Sequence, residues 1–211
     1  MTRCLISSQA TPADLHGCRV LVVGLGESGL AMAKWLHQQQ AQIAFVDTRT
    51  EPPGVQALLS AVPGAEWRCQ GEALEAAAID RCLAGVDLLA LSPGVAFDHP
   101  LVVAAKAQGV NVWSEIDCFA VARAAQCPQS NVIAITGANG KTTTTALTAH
   151  ILNAAGVDAV ACGNISPSAL DAFMAREASG AWPQVWVLEL SSFQLEATSH
   201  MHSDAAIILN L

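Results

Sequence analysis

Twice along this chain an apolar run ends in a glycine-rich turn that opens directly into a helical pattern. Residues 19–24 (RVLVVG) lead into Gly24-Leu25-Gly26-Glu27-Ser28-Gly29, and residues 131–136 (NVIAIT) lead into Gly137-Ala138-Asn139-Gly140-Lys141-Thr142-Thr143. A turn of this kind between an apolar strand and a helix needs a sheet buried on both faces, which is the parallel α/β arrangement. The rest of the chain keeps that alternation. Further strands are predicted at 42–47, 87–91, 110–113, 158–161, 185–190 and 205–209, and helices at 28–39, 100–108, 115–123, 141–155 and 168–178. The expected fold is α/β: a Rossmann-like parallel-sheet domain over 1–115, then over 116–211 the first part of a P-loop-type α/β domain, with 115–123 as the linking helix. No repeat of fixed period and no low-complexity tract interrupts this pattern.

Composition removes several classes of function. With 52% hydrophobic and 13% charged residues the chain is not a disordered tail. Net charge is −8 with ten Lys plus Arg, so there is no basic footprint for nucleic acid. No run approaches the ~18 apolar residues of a membrane span. The N-terminal MTRCLISSQATPADL has no long apolar core, so no secretory signal is expected. Seven cysteines without a C-x-x-C pair read as reduced thiols of a cytoplasmic protein, most of them small core residues.

The first loop has the G-x-G-x-x-G spacing in its proper context. Absent side chains let the backbone approach a phosphate, and the helix start supplies N–H donors. Asp47 ends the next strand, where the dinucleotide fingerprint places an acid about 20 residues on, and Thr48 and Arg49 add a hydroxyl and a cation. NAD(P), another nucleotide and a ligand-free tight turn all fit this loop. The second loop departs from G-x-x-x-x-G-K-[ST]: Ile135 holds the outer position, and the only upstream glycine is Gly137. Its backbone amides could still cradle phosphates, with Lys141 at the β/γ-phosphates and the Thr142 hydroxyl on Mg²⁺. A dehydrogenase has no use for this loop, and a simple triphosphatase has none for the first.

Glu189 closes the strand VWVLEL before Ser191-Ser192-Phe193-Gln194, where an α/β ATPase places a Mg²⁺ ligand. A solvated strand-end acid is the plain alternative. Asn164, in a polar loop after a strand, could donate to a substrate or cap the helix that starts near Ser168. His200 and His202 read as solvated loop residues rather than a metal pair, and His150 as structural.

Taken together, TGANGKTTT, GLGESG, DTR at 47–49, LSPGV at 91–95, GNI at 163–165 and ELSSFQLE at 189–196 resemble the Mur ligases, ATP-dependent amide-forming enzymes of peptidoglycan synthesis. The resemblance runs along essentially the whole chain and covers about half of a family member. It implies three domains: a UDP-substrate domain, an ATPase domain, and a third that is absent here. The chain therefore reads as cut short within its second domain and unable to turn over alone.

By the same resemblance, Gly26, Ser28, Asp47, Thr48, Arg49, Ser92, Gly94 and Asn164 would bind the UDP substrate. Gly137, Ala138, Asn139, Gly140, Lys141, Thr142 and Thr143 would bind ATP, and Thr142 and Glu189 would hold Mg²⁺, with Lys141 and Glu189 as the catalytic pair. ELSSFQLE points to the branch that joins D-glutamate to UDP-N-acetylmuramoyl-L-alanine, monomeric at full length. Ser166-Pro167 stands where relatives more often carry glycine. An NAD-dependent oxidoreductase and a non-catalytic nucleotide-binding module are the competing readings.

Overall fold

A computed structural model describes residues 10–68 and 76–210. The chain divides into two compact units, Met1–Glu115 and Ile116–Leu211. The N-terminal MTRCLISSQ, Cys69 and Leu211, which the sequence reading also touched, lie outside the described residues.

The first unit is a five-stranded sheet in the order β3-β2-β1-β4-β5, with β1 at Arg19–Val23, β2 at Gln42–Val46, β3 at Glu66–Trp67, β4 at Leu88–Leu91 and β5 at Asn111–Ser114. All four pairings are parallel. Helices α1 (Glu27–Gln38), α2 (Val55–Ala61), α3 (Ala76–Leu83) and α4 (Pro100–Ala107) make the crossovers. β1 and β2 are buried at every position after their first, and β4 is buried throughout, which is why these strands read as continuous apolar runs. On one side Leu21, Val23, Leu89 and Leu91 pack with Leu101, Val102 and Ala105 of α4. The strand order reverses between β1 and β4, so the loops that follow them part and leave a crevice at the carboxyl edge.

The second unit begins in α5 (Glu115–Gln126). Its sheet runs β7-β8-β6-β9, all parallel, with β6 at Asn131–Thr136, β7 at Ala159–Gly163, β8 at Val185–Glu189 and β9 at Ala205–Ile208. Helices α6 (Lys141–Ala154), α7 (Ala169–Ser179) and α8 (Ser192–Ala197) connect them. Trp186 of β8 anchors an aromatic cluster, with its ring centroid 5.2 Å from Phe119 and 6.3 Å from Phe173. β9 is exposed along its length, and Leu147 and Ile151 of α6 are also exposed.

Several details differ from the sequence reading. The strand expected at 158–161 starts one residue later and runs on to Gly163. Asp158 turns outward, pairing with Arg176 at 2.6 Å, and its carbonyl accepts from Gln184 and Val185. The elements α2, β3, α3 and α8 are not among those predicted from the sequence. His150 is exposed on α6 rather than structural, and His200 is half-buried, with its backbone N–H held by the buried Asp117 at 2.7 Å. Cys82, Cys118, Cys127 and Cys162 are buried free thiols as expected, but Cys18 is disulfide-bonded. Among the described residues no helix is long and apolar enough to cross a membrane.

Candidate functional site

The first glycine loop packs tightly against the loop after β4. Gly24 has φ +86°, and a Cβ there would stand 3.1 Å from Cβ of Ser92; a Cβ on Gly29 would lie 1.9 Å from the Gly24 carbonyl oxygen. Only glycine permits α1 to start this close to β1. No side chain caps α1, so its first N–H groups face the crevice. The crevice holds about 550 Å³. Gly26, Ser28, Asp47, Thr48, Arg49, Ser92 and Gly94, all the first-unit residues expected at the substrate, line it.

Within that wall Asp47 is fully engaged. Its Oδ2 accepts from the Leu25 N–H at 2.8 Å and from Arg49 Nη2 at 2.7 Å. Its Oδ1 accepts from the Arg49 N–H at 2.9 Å and Nε at 2.8 Å. Burial alone would push this carboxyl up. The Arg49 side chain, the two backbone N–H donors and the Arg49 charge outweigh that and bring it down to about 2. Asp47 thus fixes the glycine loop and aims the guanidinium of Arg49, which is 51% exposed and is the charged group offered to a ligand. A cavity of about 380 Å³ at the amino edge of the same sheet lies beside Arg19 and Arg68, but these are paired with Asp87 and Glu66.

The second glycine loop tops β6, an inner strand. Gly137 and Gly140 take φ of +147° and +81°, and Gly140 is the N-cap of α6 with no side-chain cap and no acid in the first turn. The N-terminus of this 14-residue helix is therefore open to an anion. Lys141 folds its Nζ onto the Gly137 carbonyl at 2.7 Å, a position beside the loop from which a phosphate could draw it. Thr142 and Thr143 are exposed at the helix start.

The register of β8 brings Glu189 to this edge, level with Ile135 of β6 on one side and Gly163 of β7 on the other. Glu189 is 2% exposed. Its Oε1 accepts from Asn164 Nδ2 at 2.8 Å, whereas its Oε2 is buried with no hydrogen-bond partner. An orphaned carboxylate oxygen beside a phosphate loop is the donor a hard divalent cation takes, so the residues present fit Mg²⁺. Of the two uses open to Asn164, capping is excluded: Ser168 caps α7 itself, accepting from the Asp171 N–H at 3.2 Å.

Three residues of the site are not among those predicted from the sequence. Asn210 clamps the outer arm of the phosphate loop: its carbonyl accepts from the Ala138 N–H at 3.2 Å, and its Oδ1 from the Asn139 N–H at 2.8 Å. His99 lines the first crevice and caps α4 through Nδ1. Gln194 closes a capping box with Ser191 that fixes the turn after Glu189; the S-x-x-Q spacing could have revealed it.

Each unit is a parallel sheet with a glycine loop at the carboxyl end of an inner strand, the α/β arrangement in which such loops are candidate phosphate sites. Residues 18–114 match "Mur ligase MurD-like, N-terminal domain" and residues 135–211 match "Mur ligase middle domain". The chain belongs to the Mur ligase family. It is 56% identical over 198 residues to the UDP-N-acetylmuramoylalanine–D-glutamate ligase of Dechloromonas aromatica, covering 94% of this chain and 42% of that protein. Against the enzyme of the same name from Nitrosomonas europaea it is 46% identical, covering 92% of this chain and 40% of the relative. The chain thus spans about two-fifths of the length of these relatives. Its fold is shared with the UDP-N-acetylmuramate:L-alanyl-gamma-D-glutamyl-meso-diaminopimelate ligase from Neisseria meningitides, with TM-score 0.51 and 18% identity over 92% of this chain and 61% of that one.

Proposed function

We propose that this chain carries the UDP-substrate and ATP sites of a cytoplasmic ligase that joins D-glutamate to UDP-N-acetylmuramoyl-L-alanine in peptidoglycan precursor synthesis. One observation carries the reading most directly: two glycine loops coexist in one chain, and the second has an orphaned carboxylate oxygen at its side. An oxidoreductase leaves that second loop without a task.

In this reading the first crevice holds the UDP end of the substrate, with the start of α1 and Arg49 toward its phosphates and Thr48, Ser92 and Gly94 along its walls. Gly137 to Thr143 hold the phosphates of ATP. The substrate carboxylate attacks the γ-phosphate, ADP leaves, and the acyl phosphate is then attacked by the amine of D-glutamate to give an amide and phosphate. Lys141 places positive charge against the transferring phosphoryl group. Glu189 and Thr142 hold Mg²⁺, which when bound neutralises charge on the phosphate oxygens. No side chain becomes covalently attached to substrate, so positioning and electrostatics supply the rate.

A thermal-shift titration with UDP-N-acetylmuramoyl-L-alanine, Mg·ATP and NAD⁺ tests this. A ligand present at ~100 Kd adds ~2.7 kcal/mol, roughly 5–10 °C for a chain of this size. Shifts with the first two and none with NAD⁺ are expected. A shift with NAD⁺ alone overturns the reading.

A further inference from the structure

Asn164 sits one residue after the end of β7 and grips Glu189 twice. Its backbone N–H donates to the Glu189 carbonyl at 2.9 Å, and its side-chain Nδ2 donates to Glu189 Oε1 at 2.8 Å. Facing a carboxyl oxygen, the amide is placed with its nitrogen as the donor. Gly163 allows the approach: its φ is +111°, and a Cβ there would stand 2.4 Å from the Glu189 carbonyl oxygen. Gly163 is in turn tied by its N–H to the Pro167 carbonyl at 3.2 Å. The loop after β7 is thus built around the end of β8.

The consequence lies in the two oxygens of one carboxylate. Oε1 is occupied by Asn164, and Oε2 is buried and bare. A glutamate has three side-chain torsions to order, and a free carboxylate can offer a cation either oxygen or both. The amide of Asn164 removes that freedom and leaves a single oxygen in a single orientation. Outer partners of this sort orient the groups that ligate metals.

We propose that Asn164 is the positioning residue for Glu189, acting on the nucleotide's divalent cation through that carboxylate rather than through a contact with the UDP substrate. The proposal rests on the reading of Glu189 as a cation ligand. It predicts that removal of the Asn164 amide weakens cation binding about 10-fold, the low end of what loss of such an outer partner does. It also predicts that this loss disappears once Glu189 can no longer ligate.

The test is a double-mutant cycle on the chain as it stands: wild type, Asn164→Ala, Glu189→Gln and the double variant, with Mn²⁺ affinity in the presence of ATP read by water-proton relaxation. The expected pattern is a loss of about 10-fold in Asn164→Ala, a larger loss in Glu189→Gln, and no further loss in the double variant. Urea unfolding of the same four proteins reads the Asn164–Glu189 hydrogen bond without metal, and its two midpoint shifts should be non-additive. Absence of ATP-dependent Mn²⁺ binding in wild type overturns the cation reading of Glu189 and this inference together. Normal Mn²⁺ affinity in Asn164→Ala overturns the inference alone, as does additivity in the cycle. Reduced affinity for UDP-N-acetylmuramoyl-L-alanine with Mn²⁺ affinity unchanged assigns Asn164 to the substrate instead.

Discussion

Both units end a buried strand in a carboxylate beside a glycine loop, and the two acids are treated in opposite ways. Asp47 after β2 accepts four hydrogen bonds, from Leu25 and Arg49, and has no capacity left. Glu189 at the end of β8 has one oxygen held and the other bare. The first acid is a strut: it shapes the crevice and fixes the half-exposed Arg49 in its wall. The second is kept in readiness at a cost in stability, since a buried polar atom without a partner costs about 1–3 kcal/mol. Similar sequence positions therefore do not imply similar duty; the hydrogen-bond census of each oxygen separates them.

The contrast can be attacked from both sides. The largest effects are expected where glycine admits each acid's neighbourhood. Gly29→Ala would drive a Cβ to 1.9 Å from the Gly24 oxygen, and Gly163→Ala one to 2.4 Å from the Glu189 oxygen. Each should cost about 3 kcal/mol or more, seen in urea unfolding, Gly29→Ala in the first unit and Gly163→Ala in the second. Loss of less than about 1 kcal/mol in either would show that the close approach is not as described.

Next, Glu189→Gln should abolish the Mg²⁺-dependent part of the thermal shift by ATP while leaving the melting temperature unchanged or higher, because the replacing amide keeps an oxygen for Asn164 and has no charge to bury. Lys141→Ala should abolish the ATP shift with the UDP-substrate shift retained. A melting temperature lowered by several degrees in Glu189→Gln would make that acid structural, like Asp47.

Asp47→Asn should do the reverse: lower stability by about 2 kcal/mol at pH 7 with no effect on the ATP shift. The sign follows from the carboxyl being held down to about 2 from 3.8. Its contribution is present above its unfolded value and is lost as pH falls through about 4 toward 2. The difference between wild type and Asp47→Asn should therefore close across that window and not above it. The smallest effect belongs to Arg176→Gln, which breaks the half-exposed pair with Asp158 and should cost under about 1 kcal/mol.

The strands that carry the site were legible because burial on both faces writes itself as an apolar run, as in RVLVV and VWVLE. The glycine loops were legible for the same local reason: residue type and φ are tied. What could not be read is what depends on partners far along the chain. Glu189 meets Asn164 across 25 positions, and Asn210 reaches the phosphate loop across 71. The disulfide at Cys18 likewise has no local signature. Elements such as β3, with two residues, and α8, with six, are too short for a period to show.

One geometric fact bears on how this sequence can change with time. Glu189 closes β8, and its neighbours Leu188, within the strand, and Leu190, just after it, are both fully buried or nearly so. Side chains alternate faces along a strand, so a single-residue insertion or deletion between Val185 and Glu189 would put a leucine where the acid stands and turn the acid to the opposite face. Point substitutions among valine, leucine and isoleucine can drift in this strand. A change of frame length within it cannot, and homologues should differ in β8 by replacement while gaps gather in loops such as 180–184 on its amino side.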